Sequence, residues 1–253
     1  SLMHLELLAN GYNELAMAEK ALGRHQEAEE CYSKALAALE RFPDQGHQTQ
    51  KYRIGVGQTF MNLGALFHET NRPQQAQDAY RKAVAVHDQL VADFPKIVHY
   101  REQQIRLFLN LQLLSLSHDR FEEAAEFCRQ ALQRNPDNST TIERLIWILA
   151  FSPKPSLHDY PEAVRLATKL TSLPNHEPNA WSLLGRVNYR TGDWRGSLAA
   201  LEQADQRSGD PNPVATWLYT AMAHWRLGGQ PDAWLYPGNR AGDPAVRRPH
   251  PDG

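Results

Sequence analysis

The sequence predicts an all-α protein, an α-solenoid of antiparallel helix pairs, and three observations carry that expectation. Small and large apolar residues recur four and then three positions apart, which places them on one face of a helix. The pattern returns at a constant interval, so that Ala28, Ala76 and Ala124 are evenly spaced along the chain. Short polar breaks separate the helical stretches, so neighbouring helices are expected to run antiparallel.

Each element follows from that repeat. Leu22 to Leu36 reads LGRHQEAEECYSKAL and sets Ala28, Tyr32 and Ala35 on one face. Glu69 to Val84 does the same with Ala76, Tyr80 and Ala83, and Ser117 to Leu132 with Ala124, Cys128 and Ala131. Two alanines let a neighbouring helix come close, and the larger residue between them fills the gap. A partner helix precedes each, marked by Tyr12 with Leu15 and Ala16, Phe60 with Leu63 and Gly64, and Phe108 with Leu111 and Gln112. The fourth unit, IERLIWILAFSPKPSLHDYPEAVRLATKL, is divergent, because Pro153 and Pro155 cannot continue a helix. Trp181, Leu184, Gly185 and Tyr189 then lead through Gly192-Asp193-Trp194 into Ser197, Leu201 and Ala204; Trp217, Ala221, Trp225 and Gly228 lead into Ala233.

These residues resemble tetratricopeptide repeats, and the long period from Ala28 to Ala76 is similar to long-helix variants of that repeat in multidomain bacterial proteins. The linker LVADFPKIVHYREQ (Leu90 to Gln103) and the run from IWILAFSPKP to WLYTAMAHWRLG resemble the repeat arrays of planctomycete-type proteins, which often follow a serine/threonine kinase domain. The likeness covers roughly residues 8 to 233. It implies a right-handed superhelix over residues 1–236, with repeats near 8–43, 56–95, 104–137, 139–174, 178–209 and an incomplete 213–236. It further implies a bacterial scaffold that holds a protein or peptide, as a segment of a larger signalling protein, with self-association as the rival reading.

The chain departs from that pattern after Gly228, where GGQPDAWLYPGNRAGDPAVRRPHPDG replaces a full second helix. Residues 237–253, rich in Pro, Gly, Arg and Asp, read as a disordered tail. A half-repeat leaves Trp217, Met222, Trp225 and Trp234 partly bare. Two readings stay open: the end is frayed or truncated, for instance by a shifted frame, or it docks on another chain and supports a homo-oligomer.

Composition narrows the function classes. The 253 residues are 42% hydrophobic, with 27 Lys and Arg against 29 Asp and Glu and a net charge of −2. Such a chain can bury a sizeable core, and no global field draws it to nucleic acid or anionic lipid. No stretch has the length of a membrane span and the N-terminus lacks a signal-peptide pattern, so the expected location is the cytoplasm. Cys31 and Cys128 lie too far apart in sequence for a zinc or redox motif and read as core thiols.

Catalytic patterns fail one by one, so the segment is not expected to be an enzyme. His118-Asp119 and His158-Asp159 fall in inter-helix turns without a second histidine at ligand spacing. Gly55-Val56-Gly57 lacks the third glycine and the preceding strand of a dinucleotide fingerprint and reads as a helix start. Asn138 or Ser139 reads as a helix N-cap. No kinase glycine-rich loop or catalytic loop occurs, and no cofactor or metal is expected.

What remains is a concave face lined by the first helix of each pair, as the resemblance implies. Lys20, His68, Arg106, Leu109, Leu113, Arg186, Tyr189, Arg190, Trp225 and Arg226 are expected on or near it. Arg186, Tyr189, Arg190, Trp225 and Arg226 form the densest group, a mixture of cations and aromatics suited to an acidic peptide. His68 and Arg106 are the candidate contacts nearer the N-terminus. The competing reading is ordinary: aromatics between helices, and arginines solvated along a face.

Overall fold

The computed structural model describes residues 2–42, 49–174, 179–206 and 213–228. The tail at 237–253, together with Ala233 and Trp234, lies outside them. Among the described residues all regular structure is helical. The chain divides into two compact units, Ser1–Thr141 and Ile142–Gly253.

The first unit contains three helix pairs. They are α1 (Leu2–Ala21) with α2 (His25–Glu40), α3 (Gln50–Glu69) with α4 (Pro73–Asp93), and α5 (Val98–Leu116) with α6 (Phe121–Arg134). All nine face residues read from the sequence, from Ala28 to Ala131, are at most 2% exposed. Tyr80 and Phe108 share a core cluster with Met61, Leu111 and Leu114. Tyr32 shares another with Ala16, Leu63 and Leu66. Burying each of the large side chains contributes about 1.5–3 kcal/mol, which holds one pair on the next.

The hairpin turns repeat as faithfully as the helices. Gly23, Asn71 and Asp119, evenly spaced like the alanines, each adopt positive φ, at 76°, 55° and 56°. The next residue's amide then reaches back over the helix end: Arg24 N to Glu19 O at 2.9 Å, Arg72 N to Phe67 O at 2.8 Å and Arg120 N to Ser115 O at 2.9 Å. Orphan carbonyls at each C-terminus are thereby satisfied, with glycine, asparagine and aspartate at the left-handed position that other residues resist.

Two sequence expectations need correcting here. Gly55-Val56-Gly57 does not begin a helix, since α3 starts at Gln50, where the Thr49 hydroxyl accepts from the Tyr52 amide. The glycines instead allow close approach: a Cβ on Gly57 would sit 3.1 Å from His87 Nε2, and one on Gly55 3.1 Å from Leu39 Cδ2. Nor is Leu90 to Gln103 a linker, because α4 runs on to Asp93 and α5 begins at Val98. The break is confined to Phe94 through Ile97, and Phe94 meets Tyr100 edge to face.

α7 (Ser139–Phe151) crosses the boundary between the units, and the second unit continues with α8 (Tyr160–Ser172), α9 (Ala180–Thr191), α10 (Trp194–Gln206) and α11 (Pro213–Arg226). Asn138 Oδ1 accepts from the Thr141 amide at 2.9 Å, the N-cap expected there. The proline-bearing loop after α7 makes one 3-10 turn, Pro155–Leu157. α9 and α10 approach closely, since a Cβ on Gly185 would lie 2.5 Å from Leu201 Cγ, and Ser197 Oγ donates to Gly185 O at 2.8 Å. α9 and α11 share a buried hydrogen bond between the Ser182 and Thr216 hydroxyls at 2.7 Å.

Candidate functional site

α9 buries Leu183, Leu184, Gly185, Val187 and Asn188, so Arg186, Tyr189 and Arg190, spaced three and four apart, share its opposite side. Arg186 is half-buried, with its guanidinium carbon 4.9 Å from the Phe151 ring centre on α7 and 5.6 Å from the Tyr219 ring centre on α11. Tyr189 meets Tyr219 almost perpendicularly, at 82° and 5.4 Å. Three successive first helices of the second unit therefore place a cation among aromatic rings, an arrangement stabilised by the ring quadrupoles.

Arg186 differs from the stacked arginines of the first unit in having no carboxylate partner among the described residues. In the first unit, Arg72 lies over Phe67 and pairs bidentately with Glu29, and Arg134 lies over Phe108 and pairs with Asp88 at 3.3 Å. Glu29 accordingly raises the Arg72 pKa above its ordinary value. Arg186 has no ion pair among the described residues, and its buried Nε has no hydrogen-bond partner. Arg190 is exposed and makes no ion pair among the described residues. A planar donor fork partly stripped of water, with its acceptors missing, is suited to a carboxylate.

The remaining sequence candidates separate from this cluster. Arg226 is drawn to the start of α10, 5.8 Å from the Trp194 ring centre. Trp225 stands 63% exposed on α11. His68 and Arg106 belong to the other unit, where His68 Nε2 lies 3.4 Å from Ser117 Oγ and Arg106 is exposed. Lys20 is bound to Glu69 at 2.7 Å. Leu109 packs against the core, whereas Leu113 is exposed. Phe151 and Tyr219 were not foreseen.

The histidine motifs have structural roles. His158 Nε2 donates to Ser152 O at 2.9 Å and its Nδ1 accepts from the Tyr160 hydroxyl at 3.1 Å, which closes the loop after α7. Asp159 caps α8 through the Glu162 amide at 3.1 Å. His118 Nδ1 lies 3.0 Å from Leu114 O. Cys31 and Cys128 are buried free thiols. Among the described residues no helix is long and apolar enough to cross a membrane.

Comparison with known proteins places the fold. Tetratricopeptide-repeat family models match residues 7–89 and 156–213. Among solved structures, BtubC from P. vanneervenii superposes with a TM-score of 0.56 at 15% identity, covering 99% of this chain and 91% of its own. YrrB, described as a TPR protein with an unusual peptide-binding site, gives 0.54 at 14% identity, covering 83% and 90%. A tetratricopeptide repeat protein from Parabacteroides merdae gives 0.56 at 15%, covering 88% and 74%. Among curated proteins nothing matches.

Proposed function

This chain carries tetratricopeptide repeats, and from that premise we propose that it is an interaction scaffold whose second unit takes an acidic peptide segment of a protein partner against α9 and α11. The observation that carries this reading is Arg186, ringed by Phe151 and Tyr219 and without a carboxylate among the described residues. A glutamate or aspartate side chain, or a C-terminal carboxylate, supplies the missing acceptors, with Arg190 alongside as a second cation and Tyr189 and Tyr219 as apolar walls. The repeat fold is a non-catalytic framework of the kind that binds proteins or peptides. A larger bacterial signalling protein as its parent, with a kinase domain ahead of the array, is proposed on the sequence resemblance alone, and the neighbouring coding sequence tests it.

Fluorescence anisotropy with a labelled glutamate-rich peptide and its glutamine counterpart tests the site. The acidic peptide binds and the neutral one does not. Arg186→Gln weakens binding by about 1.5–3 kcal/mol, roughly tenfold or more, the usual value of a hydrogen bond to a charged group. Arg106→Gln, in the other unit, leaves it unchanged. Equal binding of the two peptides, or an unaltered affinity for Arg186→Gln, refutes the reading.

A further inference from the structure

Within α7 the run from Leu145 to Ala150 is core with one exception: Leu145, Ile146, Ile148, Leu149 and Ala150 are at most 2% exposed, whereas Trp147 is 42% exposed. A single exposed apolar side chain is ordinary by itself. This one stands beside the carboxylate site. Trp147 precedes Phe151 by four positions, so the two share one side of α7, about 6 Å apart along its axis, and Phe151 is a ring on which Arg186 stacks. α7 and α9 are first helices of successive pairs and run the same way, so the turn of α9 level with Trp147 is that of Ser182, four positions before Arg186. Ser182 is small and 2% exposed, and its hydroxyl is already engaged with that of Thr216 at 2.7 Å. A low floor of satisfied hydroxyls beside an exposed indole suits an apolar group and makes no polar demand of its own.

The carboxylate site gains from such a group. Arg186 is only half-buried, and an ion pair open to solvent contributes little, because water and salt screen it. An apolar side chain seated next to the pair excludes that water, which is the role of the contacts surrounding a charged anchor at an interface.

We propose that the acidic segment held by Arg186 is extended and carries a large apolar residue two positions from its glutamate or aspartate, seated against Trp147 over Ser182. This rests on the reading of Arg186 as a carboxylate site. An extended chain advances about 3.3 Å per residue and side chains two apart point the same way, so a spacing of two matches the rise from Phe151 to Trp147. Adjacent side chains point to opposite faces and cannot fill both places. Specificity then lies in a pair: a carboxylate for the guanidinium and an apolar side chain for the indole.

Fluorescence anisotropy of the 253-residue chain with labelled peptides of glycine and serine around one glutamate tests the proposal. Leucine is placed two positions before the glutamate, two positions after it, next to it or four positions away, and a peptide with serine in its place is the reference. One of the two orders at a spacing of two binds about tenfold more tightly than the reference, as expected for burial of a leucine side chain. The reverse order, the adjacent leucine and the spacing of four bind as the reference does, and the order that gains gives the direction of the bound segment. In Trp147→Ala the advantage of leucine disappears, while the preference for glutamate over glutamine remains and shows that the variant is folded. The proposal is overturned, with the reading of Arg186 left standing, by no gain from leucine, by equal gain in both orders, by an equal or larger gain at a spacing of four, which marks a helical occupant, or by an advantage that survives Trp147→Ala. Loss of the preference for glutamate in the unaltered chain overturns both.

Discussion

Replacing Gly64 by alanine should destabilise the first unit, although the same change in an unencumbered helix stabilises. A Cβ at Gly64 would lie 2.5 Å from both Tyr80 Cδ1 and Cε1 and 2.9 Å from Cγ. Carbon atoms rest at about 3.5–4.0 Å, so the ring would have to retreat by about 1 Å. Tyr80 is 2% exposed within the cluster of Met61, Ala76, Ala83 and Phe108, so a retreating ring has to displace packed side chains. Overpacking of this kind costs about 1–3 kcal/mol, against about 1 kcal/mol gained from the better helix propensity of alanine. With two ring atoms pressed at once the upper half of the range applies, for a net loss of about 1–2 kcal/mol. Gly11→Ala in α1, where nothing lies within 4 Å, isolates the propensity term and gains about 1 kcal/mol. Thermal unfolding followed by circular dichroism should move Tm in opposite directions, by about 2–4 °C per kcal/mol for a chain of this size. Tyr80→Leu should cost less in the Gly64→Ala background than alone, because it relieves the contact. If Gly64→Ala raises Tm as Gly11→Ala does, the close approach of α3 and α4 is wrong.

Burial, with His99 nearby, holds the His87 pKa below its ordinary 6.5, while Asp88 and the Tyr100 backbone oppose the shift more weakly. The unfolded chain therefore takes up a proton first, and stability present above pH 6.5 is lost as pH falls toward the depressed value; His87→Gln should flatten that part of a urea-midpoint profile. Tyr32 and Tyr80 are pushed up to about 12, chiefly by burial and then by Glu69. A spectrophotometric titration of the folded protein should show Tyr32 and Tyr80 ionising near pH 12, with stability falling from pH 10 toward 12 as only the unfolded chain loses those protons. Cys31 and Cys128 should react with a thiol reagent only after denaturant is added, and rapid labelling of the native protein would contradict their burial.

Recurrence at a constant interval was enough to determine the helix pairs of the first unit. Ala28, Tyr32 and Ala35 and their later equivalents are small or flat where helices must touch, and that requirement is local enough to be written in sequence. The left-handed turn positions Gly23, Asn71 and Asp119 carry the same interval, and were legible in principle. The chemical character of the basic and aromatic group around Arg186 was also a matter of sequence alone. Which partners Arg186 finds was not. Phe151 closes on it from the end of α7 and Tyr219 from α11, where the repeat length has changed: the α1 to α3 hydrogen bond joins Asn13 to Thr59, 46 residues apart, but its counterpart from α9 to α11 joins Ser182 to Thr216, only 34 apart. Arg226, expected in the same group, instead stacks on Trp194 because α11 ends beside the start of α10. Leu109 and Leu113 of α5 likewise look alike in sequence, yet the first packs on the core and the second is exposed. A side chain carries its own hydrophobicity and spacing, but whether another helix covers it is a property of what packs alongside, and that only the tertiary structure decides.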